Sequence, residues 1–298
     1  MLNEYLLENL KEEGKRLGIP PNKNRALIRE YLQSKIIYYL YEEKTARNLS
    51  FIGGTGLRLL RDLDRFSEDL DFDNLGLDFL TIKKLFLKIK NRLEKEGFEI
   101  DYKMNPVRNL VKSKFSLGPR KAIENSSRIS NGVKKTNNSG IGEMKFKNLL
   151  SQLKISTHKE ENLVIKINYT TPKHKPNTEV FVLNRFGLVQ SVITNTKEFL
   201  LSQKIRAVFK RKDSQPRDFY DVVWFLSHKI EPDKEIFSEI GVKNEKELFS
   251  KLENIYLRKV KPNVNAFKKR LAPFLMDERK TYYLDLFGDL MRGQGQDV

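Results

Sequence analysis

The sequence predicts an α+β fold. Three observations carry that expectation: long helical periodicities at both ends of the chain, alternating strand-like segments in its middle, and a strand–glycine turn–helix–strand array between Phe51 and Asp73.

From Met1 to about Lys44 the pattern is helical. Leu2, Tyr5, Leu6, Leu10 and Leu17 recur at helical spacing, and Gly18-Ile19-Pro20-Pro21-Asn22 breaks the run. A second helix from about Arg25 carries Leu27, Ile28, Tyr31, Leu32, Ile36, Ile37, Leu40 and Tyr41, read as a packing element laid against a sheet.

The array that follows organises the chain. Leu49, Phe51 and Ile52 suit a buried strand, and Gly53-Gly54 lets the backbone turn sharply beside a ligand. Thr55 then stands at a helix start, where its hydroxyl and the free amides suit a phosphate. Leu57, Leu59, Leu60 and Leu63 supply the buried side of that helix. In Glu68-Asp69-Leu70-Asp71-Phe72-Asp73, residues two apart share a strand face. Asp69, Asp71 and, where the strand runs on, Asp73 therefore point together while Leu70 and Phe72 face the core. Gathered carboxylates repel unless a cation joins them, and magnesium takes one or two carboxylates and completes its shell with water and phosphate oxygens. A phosphate-cradling turn beside such a strand is a compact nucleotide–metal site.

Leu80 to Gly97 is an amphipathic helix with Gly97 at its C-cap, and Phe98–Tyr102 alternates like a strand. Between residues 105 and 142 the chain is rich in Ser, Asn, Lys, Arg and Gly without a sustained apolar period. Asn105–Lys145 holds nine Lys and Arg against two Glu, so much of the excess charge lies here. It is expected to be a disordered or inserted basic segment, or a basic arm that grips nucleic acid, with the strand resuming at Met144–Lys147. Leu163–Tyr169 is a strand, and Phe181–Ile193 alternates again.

Lys197–Lys212 is a basic helical stretch, followed by Gln215-Pro216-Arg217-Asp218-Phe219-Tyr220-Asp221. Asp218 and Asp221 share a helical face, so one of them could orient Lys204 or Arg217; the alternative for Asp218 is a helix cap. From about Pro232 the pattern is helical and charged. The expected division is 1–195, a catalytic core with its N-terminal helices, and 196–298, a helical C-terminal domain.

Composition narrows the function classes. The chain has 298 residues, no cysteine and three scattered histidines, which excludes a disulfide framework or a thiolate metal site and argues against zinc. No signal-peptide pattern or membrane-length apolar run is present, so no membrane partner is expected and the expected setting is cytoplasmic. The net charge of +17 fits contact with RNA or DNA, or a lysine-rich surface composition.

Gly-Gly-Thr followed by the acid-alternating strand resembles the first motif of the nucleotidyltransferase superfamily that includes DNA polymerase beta. The whole stretch G-G-T-G-L-R-L-L-R-D-L-D-R-F-S-E-D-L-D-F-D more closely resembles the AbiEii/AbiGii toxin family and the related MenT toxins, nucleotidyltransferase-like toxins of bacterial toxin–antitoxin or phage-abortive systems. The resemblance spans about Leu49 to Leu226, the insert excepted. It implies a polymerase-beta-like core with a mixed sheet, and transfer of a nucleoside monophosphate from NTP to an acceptor hydroxyl. By the same resemblance Gly53, Gly54, Thr55, Lys204 and Arg217 bind the nucleotide. Asp69 and Asp71 hold Mg2+ (or Mn2+), with Asp73 an ambiguous third acid. Lys204 matches the family's essential lysine and Asp218 its downstream aspartate. The implied acceptor is RNA, the tRNA 3′ end, and the implied partner a cognate antitoxin. One departure stands out: Asn168 occupies the strand position where polymerase-beta-like enzymes often place a third acid. The rival readings are a small-molecule, antibiotic-type nucleotidyltransferase and a catalytically decayed NTP-binding regulator.

Overall fold

The computed structural model describes residues 4–107 and 139–294. Two helices open the chain, α1 (Glu4–Arg16) and α2 (Asn24–Glu42), divided where Gly18–Asn22 interrupts the periodicity. Leu27, Ile28, Leu32, Ile36, Ile37 and Leu40 of α2 are all buried. Its polar residues are used as well. Glu30 pairs with Arg58 at 2.9 Å, and the Gln33 amide donates to the carbonyls of Ser67 and Glu68 at 3.1 and 3.0 Å. The long N-terminal helix thus anchors the loop that leads into the acidic strand.

β1 (Leu49–Ile52) runs directly into α3 (Gly53–Arg61), and β2 (Leu70–Asn74) follows. Leu57, Leu59, Leu60, Leu63, Leu70 and Phe72 are buried as their spacing requires. α4 (Phe79–Lys95) starts on an Asp78 cap that accepts the Thr81 amide at 2.9 Å, and Gly97 closes it at φ +97°. Its Phe86 packs on Phe72, which places α4 on the Leu70/Phe72 face of the sheet. Then come β3 (Ile100–Pro106), β4 (Gly140–Phe146), the short α5 (Leu149–Gln152) and β5 (Leu163–Thr170).

These strands form one five-stranded sheet in the order β1-β2-β5-β4-β3. β2 and β5 are parallel and the other neighbours antiparallel, so the sheet is mixed. Residues 105–106 and 140–142 prove to be paired strand ends: Asn105 faces Ile141 and Pro106 faces Gly140. The strand at Met144 is a separate antiparallel neighbour of β3 rather than its continuation. Most of the basic segment read between 105 and 142 lies outside the described residues.

A hairpin, β6 (Thr178–Arg185) and β7 (Leu188–Asn195), lies against β1, with Thr194 Oγ1 donating to the Phe51 carbonyl at 2.7 Å. The rest is helical: α6 (Lys197–Lys210), α7 (Pro216–Ser227), α8 (Glu235–Ile240), α9 (Glu245–Lys259), α10 (Val264–Leu271) and α11 (Tyr283–Gln294).

Burial divides into two apolar clusters. One fills the space between the sheet, α2 and α4; the other joins α6, α7 and α9 to α11. Leu59 and Leu60 belong to the first, Leu57 and Leu63 to the second. The helix after the glycine turn is therefore wedged between both, and the turn itself opens on their seam. No described helix is long and apolar enough to cross a membrane.

Candidate active site

The turn between β1 and α3 is shaped by what crowds it. Gly53 has φ +75°, and a Cβ there would lie 2.2 Å from Asp71 Oδ2. No L side chain fits both constraints. At Gly54 a Cβ would meet Arg65 Nη2 at 2.7 Å and Ser67 Oγ at 2.8 Å, so this glycine admits the Arg65–Ser67 loop. Thr55 departs from expectation. It is buried, and its hydroxyl donates to the Asp69 carbonyl instead of facing a phosphate. The loop before β2 folds over the first turn of α3, which puts that carbonyl within the hydroxyl's reach.

The three acids have different surroundings. Asp71 is half-buried and accepts a 3.0 Å bond from Asn168 Nδ2 across the β2–β5 pair. Asp69, just ahead of β2, is also partly buried; burial pushes its carboxyl up, and the Asp71 charge adds to the effect. Asp73 is buried, and its Oδ2 accepts both Asn195 Nδ2 and Gln203 Nε2 at 2.7 Å. Asn195 in turn accepts Ser50 Oγ at 2.6 Å. The third acid thus anchors a buried chain linking β1, β7 and α6. Among the described residues, no group of three or more His, Cys, Asp or Glu side chains converges as a metal-binding set. Asp69 and Asp71 are left as a pair of hard oxygen donors whose mutual repulsion a cation would relieve. That chemistry fits magnesium or manganese with substrate oxygens completing the shell.

Facing Asp71 and Asp73 across a cleft of about 310 Å³ is α6; Asp69, Gly54, Thr55 and Arg217 do not line it. Gln203, Lys204, Arg206 and Lys210 line that wall; Gly53, Asp71, Asp73 and Asn168 line the other. Lys204 Nζ lies 2.8 Å from Asp221 Oδ2. Asp221 is fully buried and receives Arg65 Nε and Nη2 at 2.6 Å each, a bidentate pair. Burial would raise the Asp221 carboxyl, but Arg65 and Lys204 outweigh it and hold it below the usual carboxylate range. Of the two α7 acids, then, Asp221 orients the lysine.

Asp218 lines the same cleft and pairs with Arg211 at 2.7 Å. It does not act as the helix cap: Gln215 holds that position, without a side-chain bond. Arg217 does not line the cleft; its guanidinium lies 4.5 Å from the Phe274 ring centre, and its charge acts on Asp69. On the far side of α6, Glu239 reaches Arg206 at 3.2 Å and Lys210 at 3.8 Å. Arg65, Asn195, Gln203 and Glu239 escaped sequence reasoning. Only Arg65 carried a signal, as a lone arginine beside the acidic strand.

Comparison with protein families finds that the model of the AbiEii nucleotidyl transferase toxin, type IV toxin–antitoxin system, matches residues 35–124 and 144–286. Among solved structures, the chain is similar to JHP933 from Helicobacter pylori, at 18% identity and TM-score 0.54, covering 92% of this chain and 93% of that one. It is also similar to MenT4, a nucleotidyltransferase toxin from Mycobacterium tuberculosis H37Rv, at 13% identity and TM-score 0.53, covering 96% of this chain and 89% of that one. At these identities the two structures speak for the fold. No curated protein matches.

Proposed function

Because this chain belongs to the AbiEii family of nucleotidyl transferase toxins, we propose that it moves a nucleoside monophosphate from an NTP onto an RNA 3′ hydroxyl, that of tRNA first, using magnesium or manganese at Asp69 and Asp71. Nucleotidyl transfer, an NTP substrate and an antitoxin partner follow from the family. The metal, the RNA acceptor, a cytoplasmic setting and the residue roles are our reading.

The observation that carries it is the pairing of two unlike walls. Acids on β2 face cations on α6 across one cleft, and Lys204 is pinned by the buried Asp221. In the reaction the acceptor oxygen bonds to the α-phosphorus while the α–β phosphoanhydride bond breaks, and pyrophosphate leaves with the added charge. Lys204, held by Asp221, offsets that charge without having to reorganise, and Arg206 and Lys210 add to it by turning from Glu239. Asn168 fixes one oxygen of Asp71, and Gly53 leaves room for the other. Asp218 is the candidate to receive the acceptor's proton or to steady Arg211. The divalent ion, when bound, supplies electrostatic stabilisation of the phosphoryl oxygens. The high net charge favours a polyanionic acceptor over a cationic small molecule.

The test is incubation of the protein with magnesium, each labelled NTP in turn and total tRNA, beside Asp71→Ala and Lys204→Ala. Label on RNA with wild type alone supports the reading and names the nucleotide. Label on protein would redirect it to a protein acceptor, and absence of NTP binding would sink it.

A further inference from the structure

The cleft covers only part of the acid-bearing face of the sheet. Over β1 and β2 that face is closed: Ser50 and Asp73 are buried against β7 and α6. Beyond Asp71 it opens. The register carries the rung from Asp71 to Asn168, Ile141 and Asn105 in turn, and the neighbouring rung through Lys166, Glu143 and Lys103. Paired residues share a face, so these side chains stand on the same side as Asp71. Lys103, Asn105, Ile141 and Lys166 are exposed, whereas Met104, Met144, Ile165 and Ile167 on the reverse are buried. With strands about 4.8 Å apart, the open face reaches roughly 14 Å from Asp71.

A sheet face turned to water is ordinary in antiparallel sheets. This one has three features that solvation alone does not require. It is continuous with the Asp71–Asn168 rung, the edge of the reaction cleft. Its lysines are unevenly paired: Glu143 pairs with Lys103 at 2.8 Å, and Lys147 with Asp101 at 2.8 Å and Glu99 at 3.7 Å, while among the described residues Lys145 and Lys166 have no carboxylate at ion-pair distance and act only at longer range on Asp101 and Asp69. Ile141, 53% exposed in the middle of the face, offers an aliphatic surface between two asparagine amides.

We propose that the open face of β5, β4 and β3 is the acceptor platform, on which the single-stranded 3′ end of an RNA lies with its terminal hydroxyl at Asp71, its phosphates near Lys145 and Lys166, and its sugar or base against Ile141. This rests on the RNA-acceptor reading above. Backbone contacts of this kind fix register without demanding sequence, and they weaken steeply with salt.

The test uses the full chain and a short fluorescent single-stranded RNA with a free 3′ hydroxyl. Affinity is measured at several salt concentrations, and label transfer is measured as KM and kcat. The variants are Lys145→Ala with Lys166→Ala, Ile141→Ser, and a control, Lys84→Ala with Lys95→Ala, on α4 behind the sheet. In the platform variants RNA affinity is expected to fall about tenfold, with a shallower salt slope for the lysine pair. KM for RNA should rise while kcat and NTP binding stay unchanged, and the control should behave as wild type. Label transfer with an RNA KM equal to wild type in both platform variants, or an equal loss in the control, would overturn the platform and leave the RNA reading standing. A wild-type protein that binds NTP but neither binds nor labels RNA would overturn both.

Discussion

Lys204 and Asp221 meet at 2.8 Å on a carboxylate already held by two 2.6 Å bonds from Arg65. The lysine that faces the cleft is therefore fixed from behind by an arginine arriving from the loop before the acidic strand. Through Asp221, the two halves of the site share one buried charge.

Replacing Asp221 by Asn should destabilise the protein by about 3–5 kcal/mol, because it leaves the Arg65 charge buried without its partner. Urea unfolding measures this. Transfer activity should fall at least about tenfold even where the variant is folded, since Lys204 loses its tether.

The same pair sets an acid limit. Asp221 is held below the ordinary carboxylate range in the folded state, so its contribution is complete above the unfolded value of about 3.9 and is lost as pH falls through the lower folded value. Asp221→Asn should therefore flatten the dependence of stability on pH below about 4, while above that it should be uniformly less stable. Chemical unfolding across an acid pH series reads the difference. A variant with the wild-type slope would contradict it.

Gly53→Ala places a methyl group where Asp71 Oδ2 stands and forces an L residue to φ +75°. A left-handed conformation alone costs about 1–2 kcal/mol, and the overlap must displace the Asp71 carboxylate. Thermal melting should show a modest loss, and label transfer a loss far larger than the stability change accounts for.

Asn168→Asp exchanges a donor for a second carboxylate facing Asp71. Losing a hydrogen bond to a charged group should lower stability without metal by about 1.5–3 kcal/mol. Magnesium should restore more of it than it adds to wild type, as more charge is available to neutralise. Thermal shifts with magnesium and with EDTA measure this. EDTA should also abolish label transfer by wild type.

Asp73→Asn should divide differently from Asp71→Ala. It turns the acceptor of Asn195 and Gln203 into a group that itself carries donors, at a buried position. Its stability loss should exceed that of Asp71→Ala, while its loss of magnesium-dependent NTP binding, followed by calorimetry, should be smaller.

Much of this molecule was legible locally. The alternation of Asp69, Leu70, Asp71 and Phe72, the helical spacing in α2 and α4, and the glycine turn each express a period of two or 3.6 or a backbone rule that a few consecutive residues display. The mixed α+β sheet followed from the family motif. Partner choice was not legible. Arg65 and Asp221 are 156 residues apart, and Gln203 reaches Asp73 across 130. Nothing in either segment's pattern distinguishes Asp218, which pairs with Arg211, from Asp221, which pins Lys204.

By itself the sequence determined which residue types lie on each face of each element, because side-chain direction follows from local backbone geometry. The tertiary structure alone decided which acid serves which cation, why the Thr55 hydroxyl turns to Asp69, and why Asp73 ties α6 to the sheet. Buried polar groups must find partners wherever packing brings donors and acceptors together, and packing joins segments far apart in the chain.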